Sequence, residues 1–231
     1  MRRLTAFVCA LVVGVATAVP ASAVEILLGD YIGSSGTGES LAGVRFRSFA
    51  NTGGNENYLG VPSLGTLPRA ERGITWTTNI LTSYDFTFQY DQANDKLVST
   101  IAGGTLESPN WSADLITKGK IKGASDLNAF QISIGNRDTG ADVYLTDVVL
   151  DGIALGGFST LNPSYGNWLV TGPDMNLTDG FTLTGTLWLR GPFSTSQENS
   201  VVNLTAGWDG RGSSPVPVEY SSWGQLKFLY R

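Results

Sequence analysis

Alternation of apolar and polar residues is the feature that most constrains the fold of this chain. It is clearest over residues 181–189, where the threonines face away from a set of apolar side chains, namely Phe181, Leu183, Leu187 and Leu189. A period of two is typical of a β-strand with one buried face. No comparable window keeps apolar residues at the spacing of a helix, so the sequence predicts at most a short helical turn.

Further alternating segments are separated by turns rich in Gly, Asn and Asp. Residues 84–90 and 96–101 predict a β-hairpin, and residues 127–135 and 142–150 predict a second one. Asp-Gly pairs at 151–152 and 179–180 supply the positive φ angles that tight turns need. Weaker strands are predicted at 25–28, 44–49, 73–78, 116–122, 168–171, 201–208 and 226–230. This succession predicts an all-β fold, a single antiparallel β-sandwich or jelly-roll-like domain over residues 24–231.

Residues 1–23 are predicted to be a secretory signal peptide. Arg2 and Arg3 give a basic start, residues 4–18 form an apolar run, and Ala21-Ser22-Ala23 is a cleavage site of small residues. The run is shorter than the roughly 20 residues that span a bilayer. We therefore expect cleavage after Ala23, export of residues 24–231, and no transmembrane segment in the mature chain.

Composition excludes several classes of function. The chain has no histidine, and its single cysteine, Cys9, lies inside the predicted signal peptide. Ser-His-Asp and Cys-His catalysis and histidine-ligated metals are therefore excluded, and the mature chain can form no disulfide. A net charge of −5 argues against nucleic acid and anionic lipid as partners. We expect no cofactor.

Carboxylates are the remaining candidates for catalysis or metal binding. A glycosidase needs two of them across the scissile bond, but the glutamates of the mature chain lie mostly beside Gly, Ser or Asn, which favours solvated loop charges. The acidic turns at 91–95 and 138–142 lack the EF-hand spacing for calcium. Local capping of the turn backbone is the favoured interpretation, so we assign no catalytic and no metal-binding residues.

Trp188 is the candidate ligand-binding residue. It falls on the threonine side of the 181–189 strand, opposite Leu187 and Leu189. An aromatic ring at such a position either covers part of the structure or stacks on a sugar ring. The structural role is favoured, because half-buried tryptophans are common in folded proteins, and the binding role is the alternative.

Three stretches of the chain resemble a known family. Residues 84–101, 127–158 and 168–207, with their RDTG loop and GFTLTG strand, are similar to the choice-of-anchor domains of exported bacterial proteins, a type associated with PEP-CTERM sorting tails. The resemblance covers about half of the chain. It implies an exported β-sandwich of no assigned enzymatic activity, held at the cell surface or in the extracellular matrix. The usual Pro-Glu-Pro motif, apolar tail and basic end do not precede Arg231, so anchoring of that type is not expected.

These observations predict a secreted, non-enzymatic β-sandwich that acts as an extracellular surface, matrix or binding module. Extracellular polysaccharide or matrix components are the candidate partners. The alternatives are a carbohydrate-binding jelly roll and a carboxylate glycosidase. Two exposed tryptophans on one sheet face would favour glycan binding, and two carboxyls about 5–10 Å apart in a cleft would favour the enzyme.

Overall fold

The computed structural model of the protein describes residues 24–32, 38–50, 56–60, 70–111, 127–173, 175–195 and 199–209. The predicted signal peptide and the predicted strands at 116–122 and 226–230 lie outside these residues.

The described residues form two antiparallel sheets that pack face to face, which confirms the predicted all-β sandwich. The strands, in chain order, are β1 (Glu25–Leu28), β2 (Glu39–Arg47), β3 (Glu56–Gly60), β4 (Ala70–Arg72), β5 (Thr82–Asp91), β6 (Lys96–Ile101), β7 (Gly104–Pro109), β8 (Ala129–Asn136), β9 (Asp142–Leu150), β10 (Ile153–Ser159), β11 (Ser164–Thr171), β12 (Phe181–Arg190) and β13 (Ser200–Trp208). The seven-stranded sheet has the order β1-β11-β8-β13-β2-β3-β4, and the six-stranded sheet has the order β10-β9-β12-β5-β6-β7.

The core lies between the sheets and is built from the inward positions of each strand. On β12 the four apolar residues predicted to face the core are all buried: Phe181, Leu183, Leu187 and Leu189. Phe181 contacts Phe88 and Phe130 in edge-to-face geometry, at 5.1 and 5.6 Å between ring centroids. Such aromatic pairs add to the stability that burial gives, and this cluster joins the two sheets.

Tight turns lie where the sequence predicts them. The hairpin of β5 and β6 turns through a short 3-10 segment, Gln92–Asn94, in which the Asp91 side chain accepts a hydrogen bond from the backbone of Asn94. Leu150 pairs with Ile153 across Asp151 and Gly152, whose φ angles are +49° and +82°. Positive φ at both central residues gives a turn whose twist matches that of the strands.

The predicted second hairpin is wrong. Residues 129–136 form β8 in the seven-stranded sheet, whereas residues 142–150 form β9 in the six-stranded sheet, so the connection between them crosses the sandwich. All eight residues of β8 are buried, since it is central in its sheet and part of its outer face is covered. Closeness in sequence does not distinguish such an arch from a hairpin, because both need a short polar connection.

Other boundaries differ from the prediction for physical reasons. Residues 73–78 alternate in burial, with Ile74 and Trp76 buried, but form no strand, because they pass from β4 to the other sheet without a ladder partner. The edge strands β4 and β7, and β3 beside β4, were not predicted. They are short, and edge strands commonly carry polar and proline residues instead of an apolar stripe.

Candidate functional site

Trp188 lies on the outer surface of the six-stranded sheet, as predicted. Its neighbours Leu187 and Leu189 are fully buried, and Trp188 itself is half-buried. Across the ladder it is in register with Tyr144 of β9 on one side and with Ser83 of β5 on the other. The register therefore places a second aromatic residue directly beside it.

The rings of Tyr144 and Trp188 are stacked. Their planes meet at 11°, and their centroids lie 6.0 Å apart, an offset arrangement that aromatic pairs favour. The indole Nε1–H donates a 3.0 Å hydrogen bond to Oγ1 of Thr146, and that hydroxyl donates a 2.9 Å hydrogen bond to Oδ2 of Asp147. Stacking and this chain of hydrogen bonds hold the indole in one orientation on the sheet.

A β-bulge in β9 supplies the last link of that chain. Thr146 pairs with Thr186 and Val149 pairs with Thr184, so β9 has one residue more than β12 between these pairs. The extra residue is accommodated by Asp147 at a φ of +52°, which turns its side chain outward beside Thr146. Without the bulge, strict alternation would turn position 147 towards the core.

Polar side chains surround the stacked rings. The Thr186 hydroxyl donates a 2.8 Å hydrogen bond to Oδ1 of Asp85, and Arg190 forms an ion pair with Asp142 at the end of the same strands. We call the surface formed by Tyr144, Thr146, Thr186 and Trp188 the aromatic face. It offers one flat aromatic area bordered by hydroxyl and carboxylate oxygens, which can accept hydrogen bonds from hydroxyl-rich ligands.

The sequence indicated the direction of Trp188 but missed its partners Tyr144, Thr146 and Asp147. A signal for the bulge was present. Val143 and Leu145 alternate as core residues, Asp147 breaks the pattern, and Val148 resumes it one position out of phase. A break of this kind in a strand indicates a bulge.

The acidic turns have two different roles. Oxygens of Asp91 accept hydrogen bonds from the backbone and side-chain nitrogens of Asn94 at 3.3 and 2.7 Å, which confirms local capping there. Those bonds are the main cause that lowers the pKa of Asp91. Asp142 instead pairs with Arg190. Within the described ranges, no group of three or more acidic or cysteine side chains is placed to hold a metal ion.

Local capping by the Asp138 side chain is the wrong interpretation. The carboxylate is 7 % exposed and accepts hydrogen bonds from the Ser194 backbone, the Asn199 amide and the Ser200 hydroxyl. Burial alone would raise the pKa of Asp138, but the hydrogen bonds from Ser194, Ser200 and Asn199 outweigh it and hold that pKa below its ordinary value of 3.8. This carboxylate is a structural tie between distant segments.

The described tryptophans do not form a pair on one outer face. Trp76 and Trp111 are buried, and Trp168 packs against Phe158 beside the core. Trp208 is 39 % exposed, but it ends β13 in the other sheet. Where the structure describes the chain, Tyr144 is thus the aromatic partner of Trp188.

Two comparisons of the sequence with known proteins give no match. A scan against protein families finds no family that matches the chain, and a search of curated proteins finds no similar sequence. The resemblance to choice-of-anchor domains therefore stays a prediction. No helix within the described part of the chain is long and apolar enough to cross a membrane.

Proposed function

We propose that residues 24–231 are exported and act outside the cell as a non-enzymatic module that binds polysaccharide through the aromatic face. The basic, apolar and small-residue pattern of residues 1–23 supports export. The resemblance to choice-of-anchor domains supports a surface or matrix role. The stacked pair of Tyr144 and Trp188 on an outer sheet face is the observation that carries the binding proposal.

The chemistry of sugars fits such a surface. The carbon-bound hydrogens of a pyranose face pack against an aromatic ring, and the ring hydroxyls need polar partners at its rim. Trp188 supplies ring area, while Thr186 and Asp85 supply oxygen atoms from adjacent strands. Because the indole is already held by Thr146, little side-chain freedom would be lost on binding.

A purely structural role for Trp188 makes a different experimental prediction. Trp188 is a half-buried ring with one hydrogen bond and one stacking contact, so Trp188→Ala should lower the unfolding free energy by about 1–2 kcal/mol. A purely structural role predicts this loss of stability and no other effect. A binding role adds a loss of polysaccharide affinity in a protein that remains folded at the assay temperature.

Affinity electrophoresis through gels containing neutral β-glucan, xylan or mannan separates the two roles. We expect at least one polymer to retard the mature protein and W188A to lose most of that retardation. Trp208→Ala is the matched control, because it removes an exposed tryptophan from the other sheet. W188F should keep partial binding, since it retains a ring but not the bond to Thr146.

Three results would contradict the proposal. If no neutral polymer retards the protein, the proposed binding function is wrong. If W188A is retarded as strongly as the unchanged protein, the aromatic face is not the binding surface. Release of reducing sugar from any of these polymers would favour the glycosidase alternative. Amino-terminal sequencing of secreted material tests export separately, and it should begin at Val24.

A further inference from the structure

The outer surface of the seven-stranded sheet carries basic and aromatic side chains that the aromatic face does not use. We propose that this surface binds an acidic polysaccharide, a polymer whose sugar rings bear uronate carboxylates. We call its residues, Arg45, Arg47, Arg137 and Tyr165, the arginine strip. The strip lies on the opposite sheet from Trp188, so it does not depend on the proposed function of the aromatic face.

Strand register brings the strip together. Tyr165 of β11 is in register with Gly135 of β8, Gly135 with Val201 of β13, and Val201 with Arg47 of β2. Three strand spacings correspond to about 14 Å, so a row across the strands has an aromatic ring at one end and a guanidinium at the other. An extended polymer chain laid across the strands would meet both.

A glycine lets the Tyr165 ring lie over the sheet. A Cβ at Gly135 would be 3.0 Å from Cδ2 of Tyr165, so any side chain there would displace the ring. Tyr165 is 41 % exposed, and the exposed Arg137 places its guanidinium carbon 5.7 Å from the ring centroid. That distance is within the range of cation–π attraction, so ring and charge form one unit.

Asn203 connects this unit to the next row. Its Oδ1 accepts a 2.8 Å hydrogen bond from Nε of Arg45, and its Nδ2 lies 3.5 Å from the hydroxyl oxygen of Tyr165. Asn203 is itself in register with Arg45 across the ladder. The amide therefore fixes the position of a second guanidinium relative to the aromatic ring.

Charge complementarity identifies the class of ligand. Strands β8, β11 and β13 contain no Asp or Glu, although the chain has 20 acidic residues. The nearest acidic position along the row lies beyond its arginine end, where Glu56 of β3 is in register with Arg47. Burial and the neighbouring charge of Arg45 lower the pKa of Arg47, while Glu71 raises it. Arginine nonetheless stays charged at neutral pH, so these side chains keep the charge that attracts a carboxylate.

A uronate polymer combines the two features that the strip recognises. The planar guanidinium matches a carboxylate through paired hydrogen bonds, and the Tyr165 ring can pack against the face of a sugar. A neutral glycan would use only the ring. The repeating carboxylates of a uronate polymer can also engage Arg47 and Arg137 at the same time.

Retardation in gels that contain polygalacturonate tests this site on the mature protein. We expect retardation that weakens with added salt and that is lost when the polymer is methyl-esterified, because esterification removes its charge. Arg137→Gln, at an exposed position, should weaken retention about tenfold, and Arg137→Lys should restore part of it. Arg190→Gln is the matched control, since it removes an exposed arginine from the other sheet.

The outcomes separate this site from the aromatic face. W188A should bind polygalacturonate as the unchanged protein does, whatever its affinity for neutral glycans. Equal retention by the methyl-esterified polymer or by single-stranded DNA would overturn the proposal, as would equal losses in Arg137→Gln and Arg190→Gln. Absence of any retention by polygalacturonate would also overturn it.

Discussion

Oδ2 of Asp138 accepts a 2.6 Å hydrogen bond from the hydroxyl of Ser200, although the two residues are 62 positions apart in the chain. Oδ1 of the same carboxylate accepts bonds of 3.0 Å from the Ser194 backbone and 3.3 Å from the Asn199 amide. One buried side chain thus joins the connection between the two sheets to the segment that enters β13. Hydrogen bonds to a charged group are worth more than those between neutral groups.

Replacing Asp138 by Ala should destabilise the fold by about 2–4 kcal/mol, because several donors would lose a charged acceptor inside the protein. Asp142→Ala is the control, since it removes only a surface ion pair with Arg190 and should cost less than about 1 kcal/mol. Urea unfolding of both variants measures the difference. Equal and small losses would show that the tie contributes little.

Acid should weaken the same tie. The pKa of Asp138 is lower in the folded protein than its ordinary value of 3.8, so the folded state favours the ionised form. Its stabilisation is therefore complete well above pH 3.8 and is lost as the pH falls through the folded pKa. Melting temperatures recorded between neutral pH and about pH 2 should converge for the unchanged protein and Asp138→Asn. A difference in melting temperature between the two proteins that stays constant down to the lowest pH would contradict this.

The sequence was sufficient for strands whose alternation is one-sided. The alternation of Phe181 and Leu183 with threonines predicted β12, and the same alternation predicted that Trp188 points outward. The structure shows both. Pairing was harder, because the alternation of Phe130 and Ile132 with polar residues gives β8 an inner and an outer face but does not say which strand lies beside it. The polar connection after Asn136 therefore suggested a hairpin where the chain crosses between sheets.

The candidate sites depend on cross-strand register, which one sequence does not specify. Tyr144 lies beside Trp188 because β9 and β12 pair with that offset, and the bulge at Asp147 brings a carboxylate to Thr146. The partners of Asp138 could not be predicted either, because they are at least 56 positions away in the chain and only the fold brings them together. Local turn chemistry was predictable at Asp91, where the partner Asn94 is three residues away.

Gly185 lies opposite the bulge and leaves little room for a side chain. A Cβ there would be 2.9 Å from Cζ of Phe86 and 3.2 Å from Cγ2 of Val148, and both side chains are buried. Gly185→Ala should therefore cost about 1–3 kcal/mol through overpacking. At Gly43 the first contact of an added Cβ is at an ordinary 3.5 Å, so Gly43→Ala should be neutral or slightly stabilising. Thermal unfolding compares the two variants. Equal melting temperatures would show that Phe86 and Val148 can move enough to accommodate the added methyl group.

Ser99 and Ser200 are both buried serines on strands, and we expect opposite effects when each is replaced by Ala. Ser99 is fully buried, and among the described residues its hydroxyl has no hydrogen-bond partner. Its removal should raise the unfolding free energy by up to about 1 kcal/mol, because an unpaired polar group is costly to bury. Ser200 is 3 % exposed, and its hydroxyl donates a hydrogen bond to Asp138. Ser200→Ala should therefore lower the unfolding free energy by about 1–2 kcal/mol. Urea unfolding measures both effects: if the denaturant slope is unchanged, a higher midpoint than that of the unchanged protein means stabilisation and a lower midpoint means destabilisation. A loss of about 1 kcal/mol or more in Ser99→Ala would mean that its hydroxyl makes a stabilising hydrogen bond, because an unpaired group has none to lose.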